Sequence, residues 1–343
     1  MTAKRLGFFT RLLDKTSAAE RYRLATIQIQ HAERWGYDTA WVAQHHFHEN
    51  EGGLPSPLLF LASVAAQTSR IRLGTAIITL PLENALRVAE DTAVLDLLSH
   101  QRLELGLGSG GTATSFLPFG LTIEERAAVF NTNLETLLQA WHGLPLGHED
   151  NRLYPAAPQL AKRLWQATFS VAGAARAGAA GHGLMLSRTQ PRPLEQPHLP
   201  LDAIQNPMID AYLSALPADV APRILASRTA FVSHDGAEAR RLARDGLRAQ
   251  AAQHRAAGCP LLGTTLDDHI AAFDVHIGTP QQVVASLQQD TALDRVTDVS
   301  FQVHSIDPPH AQVLTSIELL AREVAPALGW RDPVNTLTHE EII

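Results

Sequence analysis

Residues able to do chemistry cluster in a few short stretches: Gln44-His45-His46-Phe47-His48, Gly106-Leu107-Gly108-Ser109-Gly110-Gly111, Thr168-Phe169-Ser170-Val171-Ala172-Gly173, Ser187-Arg188-Thr189-Gln190 and His304. Neighbouring residues on an extended chain point to opposite faces. His45 and His46 therefore cannot easily ligate one ion, and no metal site is expected. A single imidazole, with an unperturbed pKa of about 6.5, suits proton exchange near neutral pH. His45 is the expected catalytic side chain, His46 is expected to pack behind the strand, and His304 is a further candidate that contacts substrate. Four glycines between positions 106 and 111 allow close approach of a cofactor. Ser109 is no nucleophile elbow, because Leu107 replaces the first glycine of G-x-S-x-G. The stretch from Ser170 to Gly173 opens a helix, where free N–H groups and the helix dipole favour an anion; Ser109 can add a hydroxyl. Arg188 offers a planar donor fork suited to a carboxylate or sulfonate, with Arg192 a weaker second choice.

These stretches fall where strands end. Short apolar runs at 5–9, 39–43, 71–76, 103–107, 163–168, 183–187, 228–233 and 299–304 read as strands, and helical patterns separate them. Ser17/Glu20 and Thr122/Glu125 are spaced as capping boxes, and Thr279-Pro280 is an N-cap with proline in the first turn. This alternation predicts an α/β fold, a (β/α)8 TIM barrel with insertions in its βα loops. A barrel needs about 250 residues, so the 343 present leave room for those insertions. Residues 1–330 are expected to form a single domain followed by a tail at 331–343. The proline-rich stretch 189–222 reads as irregular with one short helix, and 258–278 as a second irregular stretch serving as a mobile lid. In such a barrel the strand C-termini carry the chemistry, which brings the stretches above to one rim. Arg72 and Glu104, each two residues before a strand-end glycine, are expected to form a structural ion pair.

The net charge of −7 and the lack of a Lys/Arg cluster argue against a nucleic-acid partner. No apolar run is long enough to span a membrane, and no secretory leader is evident. The lone cysteine, Cys259, precludes an internal disulfide and suits a reducing cytoplasm. No G-x-G-x-x-G follows the first strand, which counts against a nicotinamide-binding half.

The stretches T-A-W-V-A-Q-H-H-F, G-T-A-I-I-T-L-P and R-L-E-L-G-L-G-S-G-G, with Gly278-Thr279-Pro280 and Ser316-Ile317-Glu318 later, resemble the bacterial luciferase-like flavin monooxygenases. The likeness runs over about residues 5–328. It implies a barrel binding FMN, or in some branches the deazaflavin F420, at the strand C-termini. It also implies a non-proline cis peptide at Ala76–Ile77 and a functional role for His45. Cofactor contacts are then expected at Thr75, Ala76, Gly108, Ser109, Ser170 and Gly173, and substrate contacts at Arg188 and His304. The implied activity is oxygenation of a small organic substrate with O2 and reduced FMN, the latter delivered by a separate flavin reductase, in a homodimer. An F420-dependent oxidoreductase of the same fold and a non-catalytic flavin-binding partner subunit are the alternatives. Gln44 stands where luciferases have Glu, Ser109 where they have a phosphate-binding Arg, and Gly108 where they have a reactive Cys. These departures put light emission and aldehyde use in doubt.

Overall fold

The computed structural model describes residues 3–193, 195–256, 258, 263–303 and 308–332. Its strands are β1 (Arg5–Thr10), β2 (Thr39–Val42), β3 (Arg72–Thr79), β4 (Leu103–Gly108), β5 (Leu164–Ala167), β6 (Gly183–Leu186), β7 (Ile224–Val232), β8 (Val275–Gly278) and β9 (Asp298–Gln302). The helices between them are α1 (Ala18–Arg34), α2 (Pro57–Ala65), α3 (Ala85–Leu98), α4 (Arg126–Trp141), α5 (Val171–Ala179), α6 (Leu201–Ala215), α7 (Gly236–Ala256), α8 (Leu266–Ala272), α9 (Pro280–Leu287) and α10 (His310–Leu319). Strands β1 to β7 and β9 pair in parallel around a closed ring, β6 with β7 and β9 with both β7 and β1. This is a (β/α)8 barrel. No helix among the described residues is long and apolar enough to cross a membrane.

Burial follows the strand period. Outward-facing residues such as Leu6, Phe8, Ala40, Val42, Leu103, Leu105, Ile224 and Ala226 join the helix faces in one large core. A smaller cluster, Phe9, Trp41, Ala43, Trp165, Met185 and Leu225, fills the barrel interior. Trp41 and Trp165 meet edge to face at 5.8 Å, an arrangement worth about 0.5–1.5 kcal/mol beyond the area it buries. Two indoles fit because small residues face them. A Cβ on Gly74 would lie 2.2 Å from Trp41, and one on Gly183 would lie 2.3 Å from Trp165. Beneath the indoles, Arg72 Nε meets Glu104 Oε1 at 2.6 Å and Trp165 Nε1 donates to Glu104 Oε2 at 2.7 Å. The expected ion pair is present, and it closes the bottom of the barrel.

Two stretches read as irregular are ordered elements. In 189–222, prolines 191, 193, 197 and 200 crowd the approach, but Pro200 caps a 15-residue helix, α6, that tolerates Pro207. Leu201, Gln205, Met208, Ile209 and Tyr212 form its buried stripe, set against α5. In 258–278, Thr265 and Asp268 form a capping box that starts α8, and β8 follows. The expectation of an irregular stretch is thus corrected for 266–278, while 259–262 lie outside the described residues. Thr229 pairs with Gln302 of β9 and also with Val275 of β8. A strand has only two edges, so β8 lies on the β6 side of β7. There β6 holds residues 224–226 and β8 holds 229–232. The short β6 therefore leaves the wall after Leu186, and Ser187 and Arg188 are free to turn inward.

Candidate active site

At the strand C-termini the barrel mouth has two unlike walls. In the ring of eight, β4 stands opposite β9. The wall over β3–β5 is small and apolar: Ala76, Ile77 and Ala167, all partly exposed, lie against the inner cluster. Gly108 completes it, and a Cβ there would come within 2.9 Å of Ile77. The Ala76–Ile77 peptide is cis, as the resemblance implied, and the β3–β4 register shifts between Thr75 and Ile78. Thr75 itself is turned into the wall. Its hydroxyl donates to Gly106 O at 2.9 Å and accepts from Gly106 N at 3.0 Å, and it is fully buried. Any contact it makes with a ligand therefore falls to its backbone.

The glycine-rich run is accounted for by packing at several positions. A Cβ on Gly106 would meet Thr75 O at 2.1 Å, and Gly110 has a φ of 76° beside Thr79 and Phe116. Of the run, Gly108 faces the apolar wall and Gly111 open space. The half-buried Ser109 follows on the rim. At the end of β5, Ser170 caps α5 by accepting from Gly173 N at 3.1 Å. Gly173 is required by its neighbour, since a Cβ would lie 2.0 Å from Thr168 Oγ1. The turn is exposed from Phe169 to Ala172, and the N–H groups of Val171 and Ala172 have no partner within the helix.

His45 stands at the end of β2 with its side chain 24 % exposed. The loop from β2 to α2 is strapped around it. His45 N donates to Leu54 O, Gly53 N to Arg11 O, and the Arg11 guanidinium to Glu51 O. Gly52 lies flat on the imidazole, where a Cβ would sit 2.5 Å from His45 Cδ2. Thr112 Oγ1 donates to Glu51 Oε2 at 3.0 Å, and His48 meets Thr114 at 2.9 Å, fastening the strap to the loop after β4. Burial, then the positive Arg11, His46 and Arg188, push the His45 imidazole down to about 3. The ring is neutral at neutral pH, so the unperturbed value expected from sequence does not apply. His46 is half-buried and stacks edge-on at 5.0 Å with Phe119. Gln44 is locked in place. Its amide donates to Glu83 Oε1 at 2.6 Å and Pro55 O at 3.1 Å, and its carbonyl accepts from Thr79 N at 2.7 Å.

The opposite wall, over β7 and β9, is polar and cationic. Arg188 is 8 % exposed, donates from Nε to Gln302 Oε1 at 2.7 Å, and lies 3.4 Å from Thr229 Oγ1. Among the described residues it has no carboxylate partner. Burial and the charge of Arg11 lower its guanidinium to about 9. A buried charge without a counterion costs on the order of several kcal/mol. Arg11 Nε and Gln302 Nε2 are buried here without a partner. Arg11 and Gln302 escaped the sequence reading, though both were visible as polar residues at a strand end or in period with His304. Arg192 leaves the mouth for an ion pair with Asp274. His304 lies outside the described residues. No group of three or more His, Cys, Asp or Glu among those residues could hold a metal ion.

Comparisons with known proteins agree on the fold and narrow its family. An uncharacterised protein of Sinorhizobium fredii is 36 % identical over 179 residues, 50 % of this chain and 51 % of that one. Limonene 1,2-monooxygenase of Rhodococcus erythropolis is 30 % identical over 181 residues, 49 % of this chain and 45 % of its own. The chain thus spans about half the length of the curated relatives it matches. A monooxygenase from Streptomyces bottropensis superposes with a TM-score of 0.74 at 25 % identity, covering 94 % of this chain and 99 % of its own. The oxygenating constituent of 3,6-diketocamphane monooxygenase from Pseudomonas putida, solved with FMN, superposes with a TM-score of 0.75 at 18 % identity, covering 95 % and 99 %. The family described as luciferase-like monooxygenase matches residues 6–294. With most of the barrel inside that match, the chain belongs to the luciferase-like monooxygenases.

Proposed function

We propose that this chain is a flavin-dependent monooxygenase that uses reduced FMN and dioxygen to oxygenate a small organic substrate. The observation that carries this reading is the apolar wall of Ala76, Gly108 and Ala167, with Ile77 beside them, next to a neutral, strapped His45. That wall fits a flat conjugated ring, and the turn at Ser170–Gly173, exposed from Ser170 to Ala172 and with Ser109 on the same rim, fits a phosphate. When bound, reduced FMN supplies the electrons that activate dioxygen. The backbone at Thr75 and Ala76, with Gly108, holds the ring. Ser109 and the Ser170–Gly173 turn, through the N–H groups of Val171 and Ala172, hold the phosphate. His45, uncharged, offers its ring to hold a proton of the reacting group through a hydrogen bond, and the 45–54 strap keeps water from it. Reduced FMN comes from a separate reductase, since the chain has no nicotinamide-binding motif. The exposed Leu86, Val94, Leu97 and Leu98 stripe on α3, with Leu59 on α2, supports a homodimer.

Titration of the chain with oxidised FMN and with F420, followed by oxygen uptake on adding the reduced form of each, tests the reading. FMN binding, with oxygen uptake that a substrate panel converts to oxygenated product, is expected. Binding of F420 alone, with hydride transfer and no oxygen uptake, overturns it.

A further inference from the structure

We propose that the Arg188–Gln302 corner of the mouth, with Arg11 beside it, receives an oxyanion of the substrate, so that this enzyme acts on organic carboxylates. The proposal rests on the reading of the mouth as the substrate site and adds the substrate's chemical class. Three observations lead to it. Arg188 is drawn inside the barrel because β6 ends early, and there it holds only neutral groups, Gln302 and Thr229. A guanidinium has five donors, so several remain for a ligand. Gln302 turns its carbonyl to Arg188, which leaves its buried amide Nε2 without an acceptor, and Arg11 Nε is likewise a buried donor with none. Buried donors are satisfied in almost every folded protein. Arg188 has no carboxylate partner among the described residues; with Gln302 bonded beside it, whose Nε2 is unpartnered, and Arg11 nearby, it asks for an acceptor carrying negative charge.

The place of this corner in the ring separates it from the flavin contacts proposed above. Arg188 lies over β7 and β9, across the barrel from Gly108 on β4. The Ser170 turn is exposed on the rim, whereas Arg188 and Gln302 are buried at the inner end of the mouth. A molecule lying between the walls would meet the flat ring on one side and place its anionic group against Arg188 on the other. The planar fork matches the two oxygens of a carboxylate.

Calorimetric titration of the FMN-loaded chain with two matched pairs, benzoate against benzamide and hexanoate against hexanamide, tests this. The wild-type chain is expected to bind at least one acid roughly tenfold to a hundredfold more tightly than its amide, the range of a lost charge-assisted hydrogen bond. Arg188→Gln is expected to erase that preference while its affinity for FMN stays at the wild-type value. Should Arg188→Gln fail to fold, Gln302→Glu keeps both side chains and supplies Arg188 with a built-in carboxylate, and it too is expected to erase the preference. Wild-type binding of acid and amide alike, or of neither, overturns the proposal. So does a preference that survives Gln302→Glu, or a loss of FMN rather than acid in Arg188→Gln, which assigns the cluster to the flavin phosphate. A chain that consumes oxygen with reduced FMN yet ignores the acids sinks this proposal alone. One that prefers the acids without taking up FMN, when titrated as the apoprotein, sinks the flavin reading alone.

Discussion

His45 is held neutral by its surroundings, and that sets what it can do. A ring pushed down to about 3 stays unprotonated through the whole range in which a flavin enzyme works. Coupled turnover should therefore show no titration between pH 6 and 7 that disappears in His45→Ala. The same substitution should keep the fold and the proposed FMN binding but lower product formed per flavin oxidised by roughly 10²-fold or more, the range for a positioned group that holds or transfers a proton. Product and flavin consumption measured side by side check both statements; wild-type coupling in His45→Ala moves the role elsewhere. The position of His45 could be read from sequence because it ends an apolar run. Its charge state could not, because Arg11, His46 and Arg188 come from separate parts of the chain. For the same reason Gln302 was hidden: its meaning lies in Arg188, which is 114 positions away.

Helix α3 shows how far element-level reading reaches. Its buried face, Val88, Ala89, Thr92, Ala93, Leu95 and Asp96, packs toward the barrel. Leu86, Val94, Leu97 and Leu98 remain exposed on the same helix. On the proposed homodimer, Leu97→Glu should shift the chain from dimer to monomer in light scattering with little change in thermal stability. A monomeric wild-type chain of 37.3 kDa would rule out this face as a dimer contact at the concentration used. Capping chemistry was legible locally. Ser17 accepts from Glu20 N, and Thr279 with Gln282 forms a full capping box. Thr122 and Glu125 do bond to each other, but the helix begins only at Arg126. What the sequence hid were elements defined by distant neighbours. β8 is four residues long and is a strand only because β7 has an unclaimed stretch of edge. α6 was masked by the prolines that lead into it and by Pro207 within it, while its apolar stripe was present throughout.

Across the whole molecule, several histidines are buried uncharged. Burial is the first cause in each case, lowering His31, His182 and His276 to about 4 and His45 to about 3. The unfolded chain titrates its histidines near 6.5. Between those values it binds more protons than the folded chain, so stability is full above about pH 6.5 and is lost as pH falls toward 4. The buried Asp274 and Asp298, raised by burial, oppose this closer to the ordinary carboxylate range. Tm should fall by some degrees per pH unit below about pH 6.5; a flat profile from pH 7.5 to 5 would contradict the burial described. The interior of the barrel also gives the molecule an optical property. Trp41 and Trp165 lie beneath the mouth, separated from it by little more than Ala43, Ala76 and Ala167, while Trp141 and Trp330 pack in the outer core. An ultraviolet-excited indole passes its energy to any nearby chromophore that absorbs where it emits. The two inner indoles are placed to go dark when a yellow ring settles above them, making the barrel its own label-free gauge of occupancy.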